Sequence, residues 1–149
     1  MENVGRIKNV AVVLLTTLSS WLGVLALPLG LLVVSNVIDY TTGLIAAPRR
    51  GEQRSSDRGF MGIAKKVCSW LLVAVGCMVD AILSYVIDNF GWDVPFTFVV
   101  ATLVCLWLLA NEMLSIIENI SDIGVNVPPF LRPVIEWVKK KAEDKAGNN

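Results

Sequence analysis

The sequence predicts an all-α, multi-pass transmembrane protein: four spans arranged as two hairpins, followed by a C-terminal amphipathic cytoplasmic helix. Three observations carry this reading. Hydrophobic residues make up 54% of the 149-residue chain and charged residues only 17%, against roughly 25% charged in an ordinary soluble domain. The mean hydropathy of +0.61 leaves too little polar surface to cover a soluble core of this size. The apolar residues also fall in long runs, separated by short charged segments. The same figures exclude disorder, which requires few apolar residues.

The first run is the longest. No charged side chain occurs from Asn9 to Ile38, and apolar character continues past Asp39 to Ala47. As one helix, residues 10–47 would be roughly 57 Å long at ~1.5 Å per residue, about twice the ~30 Å hydrocarbon core. Leu27-Pro28-Leu29-Gly30 offers a break near the middle, because proline interrupts the helical ladder and glycine permits a turn. This gives paired spans at about 10–26 and 29–47. A single kinked helix is the alternative, and would leave three spans in all. Leu25-Ala26-Leu27-Pro28 is a poor small-x-small cleavage site, so the first run reads as retained rather than as a signal peptide.

A hydrophilic loop at 48–66 carries Arg49, Arg50, Arg54, Arg58, Lys65 and Lys66 against Glu52 and Asp57. The third span covers 67–87, interrupted by Asp80. An acidic turn at 88–93 leads into the fourth, 94–110, which could extend through Asn111 and Glu112 to Ile117. Trp70 and Trp92 lie near predicted boundaries, where aromatic rings favour the headgroup region. Basic residues mark the cytoplasmic side. They place the 48–66 loop and the tail inside, the latter through Arg132, Lys139, Lys140, Lys141 and Lys145. Arg6 and Lys8 put the N-terminus inside too, which suits an even number of spans. The chain thus divides into a transmembrane part, 1–123, and a basic tail, 124–149. After Pro128-Pro129, one helical face of the tail collects Phe130, Leu131, Val134, Ile135 and Val138. That face could lie along the inner membrane surface, with the lysines near anionic headgroups.

Several function classes drop out. The chain has no histidine, and so lacks the commonest general base and metal ligand. Cys68, Cys77 and Cys105 lie in apolar stretches without metal-binding or disulfide spacing and read as packing residues. Gly59 and Gly62 belong to no phosphate-binding loop. Thirteen basic and thirteen acidic side chains balance, which argues against nucleic acid as a partner. The sequence predicts no enzyme, no cofactor and no metal.

The informative residues are polar groups at membrane depth, where a carboxylate normally faces protein or water. Asp80 belongs to a stripe with Ala74, Cys77, Ala81, Ser84 and Asp88 at helical spacing. Such a face packs within one subunit, joins subunits, or lines an aqueous opening. Asn111, Ser115, Glu118 and Asn119, with Glu112 beside them, form a second stripe. Asp39 sits near the inner end of the second span, with Lys65 or Lys66 as its expected partner.

Three motifs occur in order: Asp39-Tyr-Thr-Thr-Gly43, which includes Thr42; Gly62-Ile-Ala-Lys65-Lys66; and Asn111-Glu-Met-Leu-Ser-Ile-Ile-Glu-Asn119. Gly124 and Pro128-Pro129-Phe-Leu follow. From about Leu29 to Lys141 the chain resembles the bacteriophage holin family that also contains the holin-like proteins of clostridial toxin secretion. It departs from that pattern at the uncharged Leu-Pro-Leu-Gly turn, where relatives often have a glycine-rich turn with an acidic residue. The resemblance implies a protein that accumulates in the host cytoplasmic membrane and then homo-oligomerises into holes. Those holes would release an endolysin for host cell lysis. The polar stripes then suggest that Asp80 and the 111–119 face carry assembly while Lys65 and Lys66 anchor the cytoplasmic boundary. Alternatives of other kinds are a holin-like secretion accessory and a non-lytic membrane subunit or antiholin. A small-molecule transporter would need a substrate site and usually internal repeats, and no convincing repeat is present.

Overall fold

The computed structural model describes residues 2–52, 56–91 and 98–147. Five α-helices follow in order: α1 (Glu2–Leu22), α2 (Ala26–Ala46), α3 (Ser56–Phe90), α4 (Val99–Ile123) and α5 (Leu131–Gly147). Short 3-10 turns at Gly23–Leu25 and Ala47–Arg50 flank α2. No strand occurs among the described residues. Three helical stretches are long and apolar enough to cross a membrane: Val4–Arg50, Gly59–Phe90 and Val99–Ile123.

The first of these runs without a loop through α1, the 3-10 turn and α2. The expected tight hairpin around Pro28 is not formed. The irregularity instead sits five residues earlier, at Gly23, whose φ of +53° lies in the left-handed region. Pro28 is the third residue of α2. In a first helical turn its missing N–H costs nothing, because that group would have no partner anyway. Proline here follows the break and opens the next helix. Every side chain from Val4 to Trp21 is exposed, and α1 touches the rest of the chain mainly near its C-terminal end. Trp21 lies edge-on to Phe98 there, with ring centroids 5.9 Å apart.

The body of the molecule is α2, α3 and α4. Helix α4 lies between the other two and packs on both, whereas α2 and α3 barely touch each other. The core is small and centred on α4: Ala101, Cys105 and Leu108 meet Leu25 and Leu32 from one side and Val73 from the other. Most other large apolar side chains of these helices point outward, Val33, Val37, Leu71, Val75 and Ile82 among them. A bilayer solvates such faces at no cost, so helix contacts depend on close fit and polar bonds.

One expectation about boundaries changes. The 48–66 segment is not one loop, since α3 begins at Ser56 and carries Gly59, Gly62, Lys65 and Lys66 on helix. Trp92 and Asp93 lie outside the described residues, as do Arg54 and residues 94–97. Gly124 (φ +99°) ends α4, its N–H bonding back to Ser121. Helix α5 then turns back along α4. It buries Ile135 and Ala142 there but leaves Phe130, Val134 and Trp137 exposed. Of the apolar face expected of the tail, Ile135 and in part Leu131 pack on α4, while Phe130, Val134 and Val138 do not.

Candidate functional site

At one end of the body the three helices are joined through Lys66. Its Nζ donates to Oδ2 of Asp39 at 2.8 Å, to Oδ1 of Asn36 at 3.2 Å, and to Glu112. Asp39 and Asn36 come from α2 and Glu112 from α4, so all three ammonium donors are used, each on a different side chain. Lys66, Asp39 and Glu112 are only 16–18% exposed. In such surroundings both desolvation and attraction are strong, and pairing decides the sign. Of the two loop cations considered for Asp39, Lys66 makes the contact. Lys65 is exposed on the adjacent rim.

A second set of bonds continues this layer. Asn119 is 4% exposed. Its amide donates to Asp39 Oδ1 at 3.0 Å, to the Asp39 carbonyl at 3.3 Å and to Thr42 Oγ1 at 3.2 Å. Its carbonyl accepts from Arg50, whose Nε also donates to Asp122 at 2.5 Å. Gly43 completes the match, since a Cβ there would lie 3.6 Å from the Asn119 amide. The Asp39–Gly43 and Asn111–Asn119 motifs therefore meet across the α2–α4 contact, with Lys66 of the middle motif bridging to α3.

Because α2 and α3 do not pack, a cavity of about 510 Å³ opens between them. Gly43, Arg50, Gly59, Gly62, Lys65, Lys66, Glu112 and Ser115 are among its lining residues. Its lining carries both cations and carboxylates, Asp39 and Glu52 among the latter. No group of side chains able to hold a metal occurs among the described residues.

The other end of the body is built differently. Asp80 is 3% exposed and accepts from the backbone N–H of Val100 at 2.9 Å and of Ala101 at 2.8 Å. These are the second and third residues of α4, whose own preceding residue, Phe98, offers no side-chain cap. Asp80 thus caps α4 from a neighbouring helix, satisfying donors that lipid cannot. One turn before it, Gly76 abuts α4 so closely that a Cβ would lie 2.8 Å from the Ala101 Cα. The carboxylate reaches the helix end only because the backbones meet there.

The sequence-predicted residues thus separate. Asp80, with half-buried Cys77 and Ser84, lies on the inward side of α3, whereas Ala74 and Ala81 are exposed. Glu112, Ser115 and Asn119 line the cavity, while Glu118 is exposed and pairs with Arg132 of α5 at 2.6 Å. That pairing raises the Arg132 pKa above its ordinary value, chiefly through the hydrogen bond and then through the opposite charge. Asn111 is half-buried. Asn36, Arg50 and Gly76 were not singled out. Asn36 stands three residues before Asp39 and Gly76 four before Asp80, so helical spacing carried the signal for both.

The sequence profile of the bacteriophage holin family matches residues 16–140. A probable holin of Bacillus phage phi105 is 33% identical over 117 residues, covering 78% of each chain. An uncharacterised Clostridium perfringens protein is 32% identical over 142 residues, 95% of this chain and 97% of its own. A Listeria innocua protein is 38% identical over 109 residues, 73% of this chain and 69% of its own. No solved structure shows significant similarity. The chain belongs to the bacteriophage holin family, which is not a family of enzymes.

Proposed function

We propose that this holin-family protein accumulates in the cytoplasmic membrane of a bacterial host and there self-associates into holes that let a cytoplasmic endolysin reach the cell wall. Family membership and three membrane-length apolar helices support a multi-pass membrane protein. The observation that carries the further step is where polarity lies. Asp80 and the Lys66 layer turn inward, while the outward faces are nearly all apolar. Copies of such a body can gather in lipid without premature leakage.

In this reading residues 1–123 form the membrane part and 124–149 a tail that is cytoplasmic before assembly. Four spans fit better than three. The 47-residue stretch Val4–Arg50 would be about 70 Å long at ~1.5 Å per residue, more than two bilayer cores. Folding back at Gly23 would give α1 its own span and put Arg6 and Lys8 on the same side as Arg49 and Arg50, as the positive-inside rule favours. The Asp39–Lys66–Glu112 layer then lies at the cytoplasmic boundary. Asp80 and the 111–119 face act in assembly by setting how α3 and α4 are held.

The test is induced expression in a bacterium with and without a co-expressed cytoplasmic endolysin. Abrupt growth arrest alone, and abrupt lysis with the enzyme, are expected. Unchanged growth and membrane potential in both cultures would instead indicate a non-lytic subunit or antiholin. Ion leakage without lysis would limit the opening to a small pore.

A further inference from the structure

We propose that α5, folded back along α4, forms the water-facing wall of the assembled hole; this rests on the hole-forming reading above. A hole through which protein passes needs a polar wall, and the spans have little to offer. Asp80 is the one charged residue within 26–38, 67–87 and 99–111, and it is consumed in capping α4. The Lys66 layer is committed to its own partners. What remains on the outer faces is chiefly valine, leucine and isoleucine, with scattered hydroxyls such as those of Thr16 and Thr41 that bond to their own helices.

Helix α5 supplies the missing surface at the right depth. It runs antiparallel to α4, with Arg132 on Glu118 and Glu143 accepting from the Trp107 indole N–H at 2.7 Å. Lys139 sits over the same indole ring, 5.1 Å from its centroid. Continuing that register puts Gly147 level with Leu103, nine residues beyond Glu112, or about 13 Å into the apolar part of α4 at ~1.5 Å per residue. In that register residues 139–145 lie level with 105–111, roughly 2–10 Å past Glu112 at ~1.5 Å per residue, and this is the most charged part of α5. Lys139, Lys140, Lys141, Glu143, Asp144 and Lys145 fill six of the seven positions from 139 to 145, the seventh being buried Ala142. Lysine and aspartate held past the membrane boundary are costly against lipid. They are tolerated against water, so α5 can occupy this place where the α4 surface borders an aqueous lumen. In an isolated copy surrounded by lipid the helix must stay at the membrane surface. Assembly thereby converts an apolar wall into a charged one without changing the spans.

The test uses the full-length protein in phosphatidylethanolamine–phosphatidylglycerol liposomes loaded with a protein-sized dye. Cys68, Cys77 and Cys105 are replaced by alanine. One variant carries Trp107→Cys with Glu143→Cys for a short bismaleimide, and another carries a single fluorophore at Asp144→Cys. Where dye is released, the 107–143 cross-link should form. The fluorophore should be quenched several-fold more by aqueous iodide than by mid-depth nitroxide lipids. Because Asp144 has an exposed side chain, the second variant reads depth even if replacing Trp107 disturbs the fold. Dye release with no cross-link and a fluorophore at surface depth overturns the proposal alone, as does preferential quenching by the lipid nitroxides. No release by the unmodified protein overturns the hole-forming reading, and this proposal with it.

Discussion

Around Gly76 and Asp80, α3 and α4 approach until the Ala101 backbone takes the space a side chain at 76 would need, and one carboxylate closes the junction. Around Lys66 the helices stand apart across a 510 Å³ cavity, tied by an ammonium, two carboxylates and two amides. The first junction is steric and tolerates no added atom. The second is electrostatic, with room for its side chains to shift. In lipid neither gains from exclusion of water, and the difference shows the two means left to hold helices together: backbone proximity and polar bonds.

That contrast can be broken from either end. The largest effect should come from Gly76→Leu, which places a branched side chain against α4 backbone. Overpacking costs about 1–3 kcal/mol and occasionally more, and here the cap is lost with it. We expect the protein to lose its thermal transition in detergent and to cause no lysis at equal expression. Next comes Lys66→Met, which leaves Asp39 and Glu112 facing each other unneutralised. Removing one partner of a buried ion pair costs on the order of 3 kcal/mol. Adding Asp39→Asn and Glu112→Gln should recover most of the lost melting temperature; no recovery would mean that Lys66 acts through its packing alone.

Asp80→Asn should be milder. It keeps one acceptor for two N–H groups, for a loss near the ~1 kcal/mol typical of a helix cap, and should shift the time of lysis. Unchanged timing at equal expression would remove Asp80 from the mechanism. The smallest effect belongs to Gly62→Ala. Nothing lies within 4 Å of a Cβ there, so the methyl should enter the cavity without moving the melting temperature measurably. A large loss would show the Lys66 junction to be as tightly fitted as the Gly76 one.

How much of this was legible in the sequence depended on whether a signal was local. Helix and membrane character follow from composition and run length, and the Asp39 pairing follows from the cost of an unpaired carboxylate. The break near residue 28 was misplaced because proline was read as ending a helix, whereas Pro28 sits in the opening turn of α2 and the strain falls on Gly23. The Asp80 stripe was drawn through Ala74 and Ala81, yet the contact runs through Val73, Gly76 and Asp80. Small residues mark a face that can pack, but only the partner determines which does. That partner is the end of α4, more than twenty residues downstream of Gly76, and nothing near Asp80 in the chain announces it. The course of α5 was hidden for the same reason: its lysines read as a boundary signal, and only contact with Trp107 places them alongside α4.

Helix α1 shares almost none of these bonds. Contacts inside one chain do not depend on how many copies occupy a membrane, whereas encounters between copies grow with the square of their surface density. A segment that leaves every side chain from Val4 to Ser20 exposed is the part of the molecule whose neighbours change most as copies crowd together. The body would fold alike in the first copy and the thousandth; the arm beyond Gly23 would register the difference.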